Sequence, residues 1–375
     1  MNGIWRSLRF RISKLRNADW LIVLSVFVLM LFGLAAIYSV DLSRGTDLLN
    51  VKKQLIAMTV AIVFAFFLAT SNYRLLRNYA VVLYGSGILL LVSVLFLGTT
   101  VRGSRGWFVT QWVSFQPVEF MKLALVVALA TYFSQRARSI FGFRELYESL
   151  CIAGFPIVLT LLQPDFGSAF VLAGIWGFVA LMAGMRARFF VPMIGLAAFA
   201  FYLSWLFFFA DYQRARIVAF LNPQFDPLGE GYNVSQAMIA IGAGGWFGRG
   251  LGFGSQSQLK FLPESHTDFI FAVIAEELGF FGVLILFGAL VLFFSRILVS
   301  IRRARDGFTA FLLIGIASTI FLQIFVNVGM NLGVFPVTGI GLPFVSYGGS
   351  SFMLFLVFAG IIQGVVIHSR KNSDS

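Results

Sequence analysis

Long apolar runs, broken by short charged or glycine-rich segments, organise this chain from its first quarter to its last residues. Ten bands can be drawn, at about Trp20–Val40, Gln54–Thr70, Tyr79–Gly98, Val118–Phe133, Leu150–Leu162, Phe166–Gly184, Phe189–Ala210, Asp268–Ser295, Thr309–Asn331 and Val345–His368. Most approach the ~20 residues that a helix needs to cross a bilayer. The fifth band is short, and only QPDFGS separates it from the sixth, so the two read as a tight helical hairpin turning at Pro164. The first band exceeds the ~7–15 apolar residues of a signal peptide, and no small-x-small site follows it, so it is expected to stay as a helix. The pattern predicts a single-domain, all-α, polytopic membrane protein over residues 1–375, with about ten transmembrane helices.

Composition agrees with the pattern. Of 375 residues, 59% are hydrophobic and only 12% charged, against about 25% charged in soluble domains. Arginine and lysine concentrate in alternate connections: Arg6 to Arg16, Arg74 and Arg77, Arg136 to Arg144, Arg186 and Arg188, Arg302 to Arg305, and Arg370 with Lys371. This bias puts both termini in the cytoplasm and a large loop, 211–267, outside, between the seventh and eighth helices. Membrane topology therefore explains the net charge of +12 better than a nucleic-acid partner does. Residues 1–17 put Ile4, Leu8, Ile12 and Leu15 opposite Arg6, Arg9 and Lys14, an amphipathic cytoplasmic segment whose partner is anionic membrane lipid. Cys151 is the one cysteine and has no disulfide or metal role.

Two outer segments are too rich to be connectors. One is 99–117, TTVRGSRGWFVTQWVSFQP; the other is 211–267, whose GAGGWFGRGLGFGSQSQ lacks the dinucleotide-binding spacing. Glycines at that density fit tight turns and close approach to a ligand. The last outer turn, FPVTGIGLPFVSYGGSS, offers Ser346 and Ser350 as helix caps or as hydrogen-bond donors to a phosphate. Charges placed in lipid are costly and mark function or pairing. Glu119 and Lys122 share a face of the fourth helix, where they either neutralise each other or line a wet cavity. Asp165 stands where it could cap the sixth helix. Glu276 and Glu277 are adjacent in the eighth, so one of them is expected to pair with an arginine or carry a proton. Glu264, His266 and Asp268 crowd the turn that opens that helix, more acid and base than capping requires. With two histidines in the chain, a zinc-type site at His266 is disfavoured.

These stretches resemble the SEDS family of bacterial cell-wall polymerases (shape, elongation, division and sporulation). The resemblance is carried by DWLIVLSV, FQPVEFMKLA, LLQPDFGSA, the block 214–279 and PVTGIGLPFVSYGGSS. GSQSQLKFLPE and PVTGIGLPF are more similar to the rod-elongation branch, RodA, than to the division branch, FtsW. The resemblance implies a peptidoglycan glycosyltransferase of the bacterial cytoplasmic membrane that polymerises lipid II at the outer face. It makes Asp268 the essential acid. It carries Glu119, Lys122 and Asp165 over as site residues, with Arg105 and either Lys52 or Lys53. It also implies a nascent glycan strand, a class B penicillin-binding protein and other elongation-complex membrane proteins as partners.

The chemistry is consistent with these residues. A sugar hydroxyl attacking an anomeric carbon gains ~10²–10⁴-fold from a positioned base, the role expected of Asp268. The departing lipid diphosphate needs cations or donors, which Lys122, Arg105, Lys53, Lys260, Ser346 and Ser350 could supply. No DxD pattern occurs, and no residue is assigned to a metal, although two or three acids could hold Mg²⁺ or Mn²⁺ against the diphosphate. A lipid II flippase is the competing reading, because an intramembrane Glu119–Lys122 pair also suits a translocation path.

Overall fold

The computed structural model describes residues 11, 14–45, 47–101, 103–110, 114–136, 141–207, 211–221 and 230–371. The predicted amphipathic helix within 1–17 lies largely outside these residues; of it, Leu15–Asn17 form a short 3₁₀ turn. Among the described residues nine helices are long and apolar enough to cross a membrane, and a tenth apolar helix, Phe166–Met182, is shorter.

In chain order the apolar helices begin with α1 (Trp20–Arg44), α2 (Leu49–Thr70), α3 (Ala80–Leu97), α4 (Pro117–Gln135), α5 (Phe143–Leu162), the shorter α6 (Phe166–Met182) and α7 (Ala187–Phe207). The long connection after α7 then contributes α8 (Asp211–Leu221), α9 (Glu230–Ala243) and α10 (Ser255–Gln258). Spanning helices α11 (Ile270–Arg302), α12 (Gly307–Asn331) and α13 (Gly349–Lys371) complete the bundle.

Two boundaries differ from the hydropathy reading. The fifth helix is not short: α5 extends back through FRELYES, because Arg144 and Glu148 pair on its surface at 2.7 Å while Glu145 closes a capping box onto Gly142. The short helix is α6 instead. Residues 99–115 are also not plain loop. They form a small antiparallel sheet of β1 (Thr99–Val101), β2 (Ser104–Val109) and β3 (Ser114–Phe115).

The core is built from α4, α12 and α13, whose spans are 67%, 72% and 78% buried, while α7 at 6% presents nearly all its surface outward. Lipid tails are as apolar as leucine, so close packing rather than hydrophobic exclusion joins such helices. Gly360 and Gly364 of α13 meet the α2 backbone, where a Cβ would come 2.7 Å from the Ala65 carbonyl and 3.1 Å from that of Leu68. Helix pairs α1–α11, α4–α12, α6–α12 and α5–α6 pack the remainder.

Both described ends lie on one face. Lys14 donates to the Thr70 carbonyl at 2.7 Å at the end of α2, and Arg370 of α13 reaches the carbonyls of Asn17 and Ala18 at 3.2 and 3.0 Å. Cations at helix C-termini complement the carbonyl end of the helix dipole.

Helix α11 is not continuous. Gly279 has φ 64° and ψ −164°, a conformation open essentially to glycine alone. The break leaves four backbone groups without helical partners, and the turn after α9 supplies them. Arg249 and Gly250 donate their amides to the carbonyls of Glu276 and Glu277, both at 2.9 Å. The amides of Phe280 and Phe281 donate to Gly245 and Trp246 at 2.9 and 3.1 Å. A Cβ on Gly244 or Gly248 would fall 1.9 or 2.1 Å from α11 carbonyl oxygens. The glycine density of this loop is therefore explained at these positions by backbone seated in a broken helix, not by approach to a ligand.

Candidate active site

The segment before α11 is a chain of turns. Lys260 and Glu264 both adopt positive φ, 63° and 50°. The Glu264 carbonyl then gathers the amides of Thr267, Asp268 and Phe269 at 3.1, 3.2 and 3.3 Å. This winding delivers Asp268 buried, 6% exposed, one residue before the N-cap position of α11. The N-cap residue is Phe269, which has no capping side chain.

The cap comes from a neighbouring helix. Asn331 of α12 accepts the Ala272 amide on its Oδ1 at 3.2 Å and donates Nδ2 to the Asp268 carbonyl at 3.1 Å. Asn327, one turn earlier, donates Nδ2 to the same carbonyl at 2.9 Å and to the Ile340 carbonyl at 2.8 Å. Two fully buried amides thus fix the backbone of the acid and tie it to the loop between α12 and α13. Neither was singled out in the sequence. The signal was there: two asparagines four apart in an otherwise apolar span are costly in lipid and must be partnered.

That loop forms the site's second wall. Gly339, at φ 73°, passes so close that a Cβ there would sit 3.8 Å from Asp268 Oδ2. Ser346 accepts the Leu342 amide at 2.7 Å and donates to the Thr267 carbonyl at 2.6 Å, so its hydroxyl bridges the loop to the α11 entry. The Tyr347 amide donates to the His266 carbonyl at 2.9 Å, and the two rings lie 5.3 Å apart. Burial, and then the charge of Asp41, hold the Tyr347 hydroxyl above its ordinary pKa. Asp41, buried near the C-terminal end of α1, accepts from Asn50 and from the Val51 amide at 2.6 and 3.0 Å, which seats the start of α2. Gln54 of α2 accepts the Gly348 amide at 3.3 Å.

Asp165 caps α6 through the Ser168 amide at 2.9 Å and accepts from Gln116 at 3.1 Å, linking α6 to the entry of α4. Gly167, in the same turn, packs against Thr338 and Ile340. A chain of contacts therefore runs from Asp165 through the last loop to Asp268 and on to Gln54. On α4, Lys122 (1% exposed) and Glu119 close a buried ion pair at 2.9 Å. Glu119 Oε2 has no hydrogen-bond partner among the described residues, so the pair leaves one buried acceptor lobe unused.

Other candidates stand apart. The Arg105 guanidinium donates to the carbonyls of Phe96 and Gly98 at 2.9 and 3.1 Å, closing the end of α3. Lys53 and Lys260 are exposed, and Ser350 lies half-buried in the first turn of α13. Glu276 accepts the amides of Gln256 and Ser257 at 2.7 and 3.1 Å, and Glu277 accepts the hydroxyls of Ser39 and Ser257 at 2.5 and 3.1 Å. Of the two outcomes expected for this pair, an arginine partner or a bound proton, no arginine stands beside them among the described residues; amides and hydroxyls do. Among the described residues no three acidic, histidine or cysteine side chains converge on a point that would hold a metal ion.

These features define a polytopic membrane protein with a buried acid at the N-terminal entry of a discontinuous helix. The chain belongs to the FtsW/RodA/SpoVE family, whose model, described as cell cycle protein, matches residues 19–371. It is 37% identical to stage V sporulation protein E of Bacillus subtilis, with 96% of this chain and 99% of that one covered. It is 34% identical to peptidoglycan glycosyltransferase MrdB of Escherichia coli K12, covering 96% of each. Among solved structures it is similar to a chain of a peptidoglycan synthase complex that coordinates polymerization and crosslinking, with TM-score 0.80, 31% identity, and 94% of this chain and 98% of that one covered. It is also similar to the rod shape determining protein RodA of Thermus thermophilus, at TM-score 0.71, 30% identity and 94% and 97% coverage.

Proposed function

We propose that this protein is a peptidoglycan glycosyltransferase that polymerises lipid II at the outer face of the cytoplasmic membrane and releases undecaprenyl diphosphate. The observation that carries the reading is Asp268: a buried carboxylate whose backbone is gripped by two asparagines, at the boundary where a lipid-linked sugar would lie. The names of the relatives, peptidoglycan glycosyltransferase MrdB and probable peptidoglycan glycosyltransferase FtsW, support it.

In this reading Asp268 takes the proton from the attacking sugar hydroxyl as the new glycosidic bond forms, and the bond to the lipid diphosphate breaks. Holding its main chain rigidly keeps the carboxylate within reach of that proton without reorganisation. Lys122, about 7 Å below the outer end of α4 by helical rise, is a cation for the developing diphosphate charge. No step is routed through a metal. The rod-elongation role and a class B penicillin-binding protein as crosslinking partner belong to the same proposal, supported by the complex in which a structural neighbour was solved.

The test is polymerisation of purified lipid II, with and without the transpeptidase partner, by folded Asp268→Asn and Asp268→Ala variants. Glycan made at near the unmodified rate by either variant would overturn the role of the acid. Lipid II translocation across vesicles without polymer would favour the flippase reading instead.

A further inference from the structure

We propose that Gln323 of α12 is a positioning residue of the Asp268 site, holding an ordered water that completes the hydrogen bonding of the buried Glu119–Lys122 pair. Its effect on rate rests on the glycosyltransferase reading; the water site itself does not.

From Thr319 to Asn331, α12 carries a polar residue at every fourth position, Thr319, Gln323, Asn327 and Asn331, with apolar residues or glycine between. Residues four apart make one ridge of a helix, which turns by about 40° at each step. None of the four is more than 1% exposed. Three have partners: Thr319 donates its hydroxyl to the Gly315 carbonyl at 2.7 Å, and Asn327 and Asn331 hold the Asp268 carbonyl. Gln323 differs. Among the described residues neither its Oε1 nor its Nε2 has a hydrogen-bond partner. Burying an amide in that way is unfavourable, and native structures partner such groups with ordered water or a bound group.

The ridge fixes where Gln323 points. Four residues beyond Thr319 and eight beyond Gly315, it lies between two faces of known contact. Gly315 packs on Val126 of α4, where a Cβ would come 2.7 Å from the valine side chain. Asn327 and Asn331 face the entry of α11. Gln323 is therefore aimed into the space between α4 and that entry. On α4, Glu119, Lys122 and Val126 share one face, while Met121 meets Gly87 of α3 on another. Helix α4 begins where α12 ends, through Gln116, Asp165 and the loop on Gly167. Counted from the Val126–Gly315 contact, Glu119 and Gln323 come within roughly 2 Å of the same level.

Glu119 brings a matching orphan. Its Oε1 takes Lys122 Nζ at 2.9 Å, and its Oε2 has no partner among the described residues. Asn327 Oδ1, one turn from Gln323, is a third such acceptor. Water both donates and accepts, and is held by two to four polar partners; these oxygens and the Gln323 amide supply both kinds. A metal cation would leave the Nε2 hydrogens unmet and would stand against the Lys122 ammonium. Held there, the water fixes Glu119 and, through it, Lys122, the cation assigned to the leaving diphosphate.

The experiment compares the full-length protein with its Gln323→Met and Gln323→Asn variants. Methionine keeps the volume and loses the amide; asparagine keeps an amide one methylene shorter, which water can still bridge. Removing an amide that merely sits unpartnered would leave Tm unchanged or raise it. The expected result is the opposite: Tm falls by about 2 °C in Gln323→Met, and most of the loss is recovered in Gln323→Asn. A density map that resolves ordered water is expected to show one within hydrogen-bond reach of Gln323 and Glu119, gone in Gln323→Met. On lipid II, kcat of Gln323→Met is expected to fall about tenfold with KM unchanged. A Tm in Gln323→Met at or above that of the unmodified protein, or a map with no water between the two residues, would overturn the proposal. So would a Tm that rises with sodium chloride but not with choline chloride, since that assigns the site to a cation. An active Gln323→Met enzyme with unchanged kcat would overturn the positioning role. If the unmodified protein makes no glycan, the glycosyltransferase reading fails, and Tm and the map still decide the water site.

Discussion

The two ends of the bundle treat charge in opposite ways. At the Asp268 end carboxylates are fastened to backbone amides and hydroxyls: the buried Asp41 to Val51, the half-buried Asp165 to Ser168, the buried Glu276 to Gln256 and Ser257, and the buried Glu277 to Ser39. At the other end the described charges lining an open cavity are mostly arginines, Arg74, Arg296, Arg303, Arg305 and Arg370 beside Asp19. Charge at the first end builds a rigid frame, and much of the charge at the second lies on an open surface. A frame of this kind is sensitive to single substitutions, whereas an exposed charge such as Arg303 is not.

That contrast can be broken by mutation, beginning with the largest effect. Replacing Asp268 by Asn is expected to lower the polymerisation rate ~10²–10⁴-fold with little change in Tm, measured on purified lipid II. Lys122→Met leaves Glu119 charged and buried; it is expected to destabilise by about 3–5 kcal/mol, in denaturation from detergent, with Glu119→Leu restoring most of the loss in the double variant. Glu276→Ala strands the amides of Gln256 and Ser257 and is expected to cost about 1–3 kcal/mol. Asn331→Ala removes the trans cap of α11 and one grip on Asp268, for about 1–2 kcal/mol and a fall in kcat larger than any change in KM. Smallest of all, Arg303→Ala at the opposite end is expected to move stability by no more than about 0.5 kcal/mol. Equal sensitivity at the two ends would erase the distinction.

Much of this was legible in the chain. Apolar runs of near-spanning length marked every spanning helix, because the bilayer leaves helices few alternatives. Asp165 and Asp268 were visible as acids at helix entries. What stayed hidden depends on backbone pairing between distant segments. Gly279 could be read as one more helix glycine, and nothing local announces that Gly245 and Trp246 supply carbonyls to the amides beyond it. For Glu276 and Glu277 the sequence suggested an arginine or a bound proton, because charge is readable in a sequence while free amides are not. The strands around Trp107 were missed because a sheet this small has too few alternating residues to stand out against a loop.

The break in α11 makes the place of the acid a shared property of distant segments. The carbonyls of Glu276 and Glu277 are satisfied by the turn at 244–250, which precedes them in the chain. The part beyond the break, 280–302, is an ordinary helix about 34 Å long. The carbonyl of Asp268 is held by Asn327 and Asn331 of α12, which follow it in the chain. Asp268 therefore owes its place to chain on both sides of its own helix, and a change in either neighbour moves it without touching its side chain.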